Sequence, residues 1–303
     1  MRILVTGAAG YIGSALARAL AAKGHEVVAT DQAAPAPVIG NIAYPQFARS
    51  LVTAEVGAVF HLASLVSGGA EQNFELGTKV NLDATRDLLE ACRLAGQRPK
   101  FVFASSIAVY GANNSEVTDE TPANPRLSYG AQKLVCEILI DDYTRRGYVD
   151  GRALRLPAVM VRPGSANTAV SGWSSAIIRE PLAGRDYVCP VRPDTRLACI
   201  SLGRVVEAFV HAFNLKSEDL GSRRTVLLTG IPVTAQQMRD AAGGSGKVRF
   251  EPDPAIQKVM DGAPKSTFSK RAQDLGFRHN ASIQEIVDEY KKDHPDPSVA
   301  RHG

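Results

Sequence analysis

The stretch Ile3-Leu4-Val5-Thr6-Gly7-Ala8-Ala9-Gly10-Tyr11-Ile12-Gly13 decides the fold. A short apolar run enters a glycine-rich turn spaced G-x-x-G-x-x-G, and a helical pattern follows from Ser14 to Lys23. Strand, tight turn and helix in that order open a dinucleotide-binding βαβ unit. Gly7 allows the turn, Gly10 lets backbone approach a pyrophosphate, and Gly13 lets helix pack on strand. The first helical turn then offers free N–H groups and the positive end of its dipole to phosphates. Tyr11 and Ile12, between the last two glycines, fall in the same cofactor loop.

A second strand from His25 to Thr30 ends in Asp31, an acid about 20 residues beyond the loop. There a carboxylate accepts bonds from the adenosine ribose hydroxyls and repels a 2′-phosphate. Gln32-Ala33-Ala34 supplies no cation to attract one, so the cofactor is read as NAD.

Farther along, Ser128-Tyr129-Gly130-Ala131-Gln132-Lys133 places a phenol and an ammonium four apart, on one helix face. A phenol is a poor base at a pKa of about 10, and a nearby cation favours its ionised form. Lys133 is therefore expected to lower the pKa of Tyr129 and make it a proton acceptor. The pair Ser105-Ser106 supplies a candidate hydrogen-bond partner for a substrate oxygen.

These motifs resemble the extended short-chain dehydrogenase/reductases, the superfamily of NAD-dependent nucleotide-sugar epimerases and dehydratases. Further matching pieces are Val59-Phe60-His61-Leu62-Ala63-Ser64, Val80-Asn81-Leu82-Asp83-Ala84-Thr85 and Phe103-Ala104-Ser105-Ser106-Ile107-Ala108-Val109-Tyr110-Gly111. A narrower similarity, to the D-erythronate dehydrogenase branch, lies in Leu65-Val66-Ser67-Gly68-Gly69-Ala70-Glu71, Arg155-Leu156-Pro157, Arg162-Pro163-Gly164 and Ile178-Arg179-Glu180-Pro181-Leu182. The resemblance implies an NAD-dependent dehydrogenase that oxidises the 2-hydroxyl of a small sugar acid. The same apparatus also serves a nucleotide-sugar epimerase or dehydratase with tightly held NAD, which is the alternative reading. A dehydratase usually carries acids beside the serine, whereas Ile107 and Ala108 follow here.

By resemblance, Ser106 is the catalytic serine, Tyr129 the base, and Lys133 also bonds the nicotinamide ribose. Leu62, Ala63 and Ser64 would contact pyrophosphate and ribose, Asn81 would brace the end of the sheet beside the cofactor, and Ala104 would end the fifth strand against it. Pro157 and Ala158 sit where the carboxamide of nicotinamide is met. Gly40-Asn41-Ile42 stands where relatives carry Gly-Asp-Ile or Gly-Asp-Leu against adenine; an adenine contact by Asn41 and a solvated loop amide both stay open. For substrate, Ser67 overhangs the site, and Arg179 and Arg196 are selected from Arg162, Arg179, Arg185 and Arg196 because a carboxylate calls for a bidentate guanidinium. His61 is read as a core residue.

Composition agrees with an enzyme of this kind. A chain of 303 residues, 45% hydrophobic, can bury a large core. A net charge of +4 without a basic run gives no reason to expect nucleic acid as a partner. No apolar stretch reaches the roughly 20 residues of a membrane span, and with the first strand at the N-terminus no signal peptide is expected. Cys92, Cys136, Cys189 and Cys199 lack metal spacing and read as structural thiols of a cytoplasmic protein.

Alternation of strands (2–6, 26–30, 57–62, 100–104, 153–160) with helices (12–23, 78–95, 128–146) predicts an α/β, Rossmann-type doubly wound parallel sheet. Residues 1–160 form the expected NAD-binding domain, rejoined by a segment of about 197–230 with a helix at 203–215 and a strand at 225–229. Residues 161–196 and 231–303 form an irregular substrate lobe, ending in a frayed tail around Pro295 and Pro297. Helices 78–95 and 128–146, with apolar Leu88, Leu89, Cys92, Leu134 and Ile138, correspond to the pair through which relatives form a four-helix bundle. The resemblance therefore implies a twofold homodimer.

Overall fold

The computed structural model describes residues 1–111, 116–164 and 169–295. Residues 165–168 of the expected loop to Ser175, and the tail around Pro297, lie outside the described residues.

In chain order the elements that build the site are β1 (Arg2–Thr6), α1 (Tyr11–Ala22), β2 (Glu26–Asp31), β3 (Val38–Ile39), β4 (Val56–His61), α2 (Ser67–Gln72), α3 (Ala84–Ala95) and β5 (Lys100–Ser106). After these come α4 (Ser128–Arg145), β6 (Asp150–Leu156), β7 (Ala158–Met160), α5 (Trp173–Leu182), β8 (Arg196–Ser201), α6 (Leu202–Asn214), β9 (Thr225–Leu227), β10 (Ile231–Thr234) and α7 (Pro254–Gly262). Seven strands form one parallel sheet in the order β9-β6-β5-β4-β1-β2-β3. The chain builds outward from β1 to β3, then crosses back to β4 on the other side of β1. That reversal opens a crevice at the carboxyl ends of β1 and β4.

Both faces of the sheet are covered, which is why its strands are continuous apolar runs. Ile3, Val5 and Phe60 face Leu16 and Leu20 of α1 and Val205 and Phe209 of α6. Leu4, Val59, Phe101 and Phe103 face Leu88, Leu89 and Cys92 of α3 and Cys136 and Ile140 of α4. Three apolar residues assigned to a possible subunit contact are thus used up by the sheet, with Leu88, Leu89 and Cys92 at 0% exposure.

Two local features differ from a regular reading of the sequence. The expected helix at 78–95 begins as a π turn over Thr78–Asp83 before α3, and such wide turns often carry a functional side chain. The expected strand at 153–160 is split: β6 ends in the main sheet and β7 joins a three-stranded sheet with β8 and β10. Pro157 separates the two strands and has no N–H to continue a ladder. So β8 belongs to the smaller sheet, whereas α6 and β9 return to the main one.

The return of β9 is secured at the amino end of β6. Asp150 accepts bonds from both Arg152 and Arg224. Arg224 also donates to the Gly151 and Ser217 carbonyls at 2.7 and 2.9 Å, and Arg152 to the Leu215 carbonyl at 3.0 Å. Arg152 and Arg224 are buried, so Asp150→Ala leaves two guanidiniums without their counter-charge. We expect a loss of about 3–5 kcal/mol, read as a lower urea midpoint, with cofactor affinity of the folded protein retained because the crevice is at the opposite end of β6.

Candidate active site

The crevice is a cavity of about 900 Å³ at the carboxyl ends of the central strands. Its floor is the glycine loop. Gly7 has a φ of +71°, and a Cβ there would lie 2.7 Å from the Ala63 nitrogen. A Cβ on Gly13 would meet the Gly7 carbonyl oxygen at 2.0 Å, so helix and turn touch backbone to backbone. Gly10 caps α1 with no side chain bonded over its first turn. Those N–H groups suit a phosphate. Asp31 accepts from the Ala9 and Gln32 N–H groups at 3.0 and 2.7 Å and lines the same cavity. The fixed carboxylate, bare helix start and glycine cradle fit a dinucleotide.

A hydrogen-bonded chain sets the opposite wall. Thr6 Oγ1 accepts from the Leu62 and Ala63 N–H groups at 3.2 Å each and lies 2.7 Å from His61 Nδ1. His61 Nε2 lies 2.9 Å from the Thr85 hydroxyl, which donates to the Asn81 carbonyl at 2.8 Å. These partners assign the ring proton to Nε2, and burial followed by the Lys133 charge pushes the His61 pKa down to about 3. His61 is a neutral core residue, as its sequence context predicts.

Asn81, expected as a brace beside the cofactor, lies behind the cavity wall. It is 1% exposed and does not line the cavity. Its Oδ1 accepts from the Leu65 N–H at 2.7 Å and the Ser64 hydroxyl at 2.9 Å, while its Nδ2 donates to the Leu65 carbonyl at 3.0 Å and Gln132 at 2.7 Å. The π turn places this amide where it holds the Leu62-Ala63-Ser64 wall from behind. Asn41 donates nothing to that wall. Its Oδ1 accepts from the Ala43 N–H at 2.9 Å, and Asn41 and Ile42 both line the cavity. Tyr11, Ile12, Leu62, Ala63, Ser64, Ala104, Pro157 and Ala158 line it as well.

Ser106 ends β5, and Tyr129 begins α4. They are brought together by a residue the sequence reading did not single out: a Cβ on Gly130 would lie 2.1 Å from the Ala108 carbonyl oxygen. Only glycine lets α4 press its first turn against the loop after Ser106. The tight-contact signal was present in the sequence as Tyr-Gly inside a helix, where glycine is unfavourable by about 1 kcal/mol. Ser106, Tyr129, Lys133 and Ser67, the last at the start of α2, all line the cavity. Ser105 also borders the cavity, but its hydroxyl donates to the buried Glu137.

The electrostatics around Tyr129 differ from the expectation. Burial pushes its pKa up, against bonds from Ser106 and Ser64 and the charge of Arg162, which pull it down. Lys133 does not figure among these influences. Its ammonium lies over two ring faces, 5.5 Å from the Tyr129 centroid and 4.6 Å from that of Phe103. Burial pushes Lys133 itself down to about 8.

Of the two arginines selected for substrate, Arg196 is a correction. It is exposed and absent from the cavity wall, whereas Leu197 lines it. Successive strand residues point to opposite faces, so Leu197 inward puts Arg196 outward. Arg179 lines the cavity but is occupied, bonding Glu180 at 2.8 Å and the Arg162 carbonyl at 2.7 Å. Arg185 also pairs with Glu180, at 2.6 Å. Cys92, Cys136, Cys189 and Cys199 are buried and unpaired. Among the described residues no cluster of metal-ligating side chains occurs, and no helix is long and apolar enough to cross a membrane.

Comparison with known proteins agrees with this geometry. The family model described as the NAD dependent epimerase/dehydratase family matches residues 3–214. The chain is 42% identical to D-erythronate dehydrogenase of Cupriavidus necator, over 97% of this chain and 98% of that one. It is 37% identical to D-erythronate dehydrogenase of Haemophilus influenzae, over 96% and 98%. The crystal structure of the nucleoside-diphosphate-sugar epimerase from Agrobacterium tumefaciens superposes with a TM-score of 0.90 at 36% identity, covering 98% of this chain and 95% of that one. With a glycine cradle, a fixed acid at the second strand and a Ser106–Tyr129–Lys133 cluster on one cavity, the chain belongs to the NAD dependent epimerase/dehydratase family.

Proposed function

We propose that the protein is an NAD-dependent dehydrogenase that oxidises the 2-hydroxyl of a short sugar acid of the D-erythronate type. The observation that carries this reading is the meeting of Ser106 and Tyr129 over a dinucleotide cradle in a cavity whose described lining is strongly cationic. Arg126, Lys133, Arg162, Arg179 and Lys258 line it, against Asp31 as its one carboxylate. The near full-length identity to two D-erythronate dehydrogenases supports the same substrate class.

In this reading Asp31 receives the adenosine ribose and the start of α1 receives the pyrophosphate. The bound dinucleotide supplies the hydride acceptor. Tyr129, as phenolate, takes the proton of the substrate hydroxyl, and Ser106 holds that oxygen by a hydrogen bond. Lys133 holds the nicotinamide ribose. Asn81 acts behind them, as a positioning residue for the Leu62–Leu65 wall. Buried, unpaired cysteines accord with a reducing cytoplasm. A twofold dimer through α3 and α4 is part of the proposal, resting on Val135 and Ile138, which share one face of α4 at 40% and 60% exposure. A dimer mass by light scattering at micromolar concentration is expected, and a monomer mass would remove this part.

A second reading, nucleotide-sugar epimerisation, is favoured by the likeness to the Agrobacterium nucleoside-diphosphate-sugar epimerase. Product analysis separates the two. A dehydrogenase releases one NADH for each D-erythronate oxidised, whereas an epimerase returns its hydride and shows no net NADH. Tyr129→Phe should reduce turnover by about 10²–10⁴ while leaving NAD affinity intact. If the wild type makes no NADH from any short aldonate yet interconverts a nucleotide sugar in a Tyr129-dependent way, the second reading replaces the first.

Asp31→Ala should weaken NAD binding by about 1–3 kcal/mol and narrow its preference over NADP, as measured by titration of both cofactors. The pH dependence follows from Lys133. Its charged form holds the ribose and is present below its pKa of about 8. NAD affinity of the free protein should therefore be greatest below that pH and fall as pH rises through it. The break should vanish in Lys133→Met; an unchanged break there would remove Lys133 from the cofactor site.

A further inference from the structure

Among the described residues five cations line the cavity, and they are not equivalent. Lys133 lies beneath the Tyr129 ring, Arg126 and Lys258 are exposed, and Arg179 is paired with Glu180. Arg162 remains. It is half-buried, its guanidinium carbon sits 5.6 Å from the Tyr11 ring centroid, and among the described residues it has no carboxylate partner. The adjoining residues 163–172 contain no Asp or Glu.

Its backbone is held from three sides. Tyr11 donates its hydroxyl proton to the Val161 carbonyl at 2.9 Å, the Arg162 N–H donates to Ser175 Oγ at 3.0 Å, and Arg179 donates to the Arg162 carbonyl at 2.7 Å. Three side chains from α1 and α5 thus fix the root of a guanidinium whose own donors meet no acceptor among the described residues. Fixed roots of this kind lower the ordering cost of binding.

In a 2-hydroxy acid the carboxylate carbon is bonded directly to the carbon that loses hydride. A cation that holds the carboxylate must therefore stand next to the base that takes the hydroxyl proton. We propose that Arg162 is the carboxylate-binding residue of this cavity, gripping a 2-hydroxy acid through its planar fork while the adjacent hydroxyl faces Tyr129 and Ser106. Arg179 is then a positioning residue that holds Arg162, and the oxidised carbon is chosen by its distance from the carboxylate.

Two electrostatic facts agree. The charge of Arg162 acts on Tyr129 and pulls its ionisation down, against the larger effect of burial. Burial in turn pushes the Arg162 pKa below its ordinary value, a desolvation that an incoming carboxylate offsets.

The inference rests on the sugar-acid reading above, and its experiment separates the two. NADH formation is followed with D-erythronate and with its neutral amide, for the wild type, Arg162→Gln and Arg162→Lys. The wild type should prefer the acid. Arg162→Gln should raise KM for the acid by about 10–100-fold and leave KM for the amide nearly unchanged, with NAD affinity retained, while kcat falls alike on both compounds because Tyr129 then ionises at higher pH. Arg162→Lys, which keeps the charge without the fork, should fall between, and it carries the test if the Gln variant does not fold. The tyrosinate absorbance assigned to Tyr129 by difference from Tyr129→Phe should move to higher pH in Arg162→Gln. Ser64, Ser106 and Lys133, the other groups facing that ring, are unaltered in this comparison. If the wild type forms NADH from the acid but the acid-to-amide ratio is the same in the variants, the Arg162 assignment is overturned and the dehydrogenase reading stands. If the wild type forms no NADH from either compound, the dehydrogenase reading fails and the assignment falls with it.

Discussion

The structure depends on one close approach, between the Gly13 face of α1 and the carbonyl of Gly7 at the end of β1. A Cβ at Gly13, 2.0 Å from the Gly7 oxygen, would push helix and turn apart, and one at Gly7, 2.7 Å from the Ala63 nitrogen, would push the turn off the segment after β4. Held together, they aim the bare first turn of α1 into the gap between β1 and β4. The same gap is where the strand order reverses, so a cleft is present at that point whatever occupies it. The Thr6–His61–Thr85–Asn81 chain then fixes the far wall without presenting any charge of its own.

On this frame the chemistry is assembled from three more places. Gly130 draws α4 onto the loop after β5 and places Tyr129 near Ser106. The split at Pro157 hands the chain from the main sheet to the smaller one, carrying the segment 161–162 over the cavity. Finally α5 secures that segment through Ser175 and Arg179. Each contact is made to backbone, by backbone or by a polar side chain, so it fixes position without demanding an extended apolar surface in the cleft. A polar cavity can therefore sit beside a well-packed core.

Much of this was legible in the sequence, because the signals are local. A G-x-x-G-x-x-G turn between an apolar run and a helical pattern has few structural solutions, and the acid after the second strand stands at a distance set by one βαβ unit. Tyr129 and Lys133 four apart on a helix share a face irrespective of what packs against them. Less legible were features that need two distant segments. The π turn at Thr78–Asp83 leaves no mark in hydrophobic periodicity, and it sets the Asn81 brace behind the cavity wall rather than on it. Leu88, Leu89 and Cys92 fit both the sheet and a subunit contact by spacing, and burial against the sheet decided between them.

The sequence by itself determined the doubly wound fold and the places in it of the glycine turn and of Ser106, Tyr129 and Lys133, which line one cavity. Turn chemistry and helical repeat act over a few residues and are written in those residues. Only the tertiary structure decided what each charge does. Arg196 and Leu197 adjoin in sequence, yet strand alternation sends one to solvent and the other to the cavity. Arg179 is consumed by Glu180, and Arg162, ordinary in sequence, is left open to the cleft. The proton affinity of Tyr129 likewise follows from burial, two serines and an arginine drawn from distant parts of the chain. Electrostatic influence depends on distance and solvent exclusion in the folded molecule, and neither quantity exists until the chain has closed around the site.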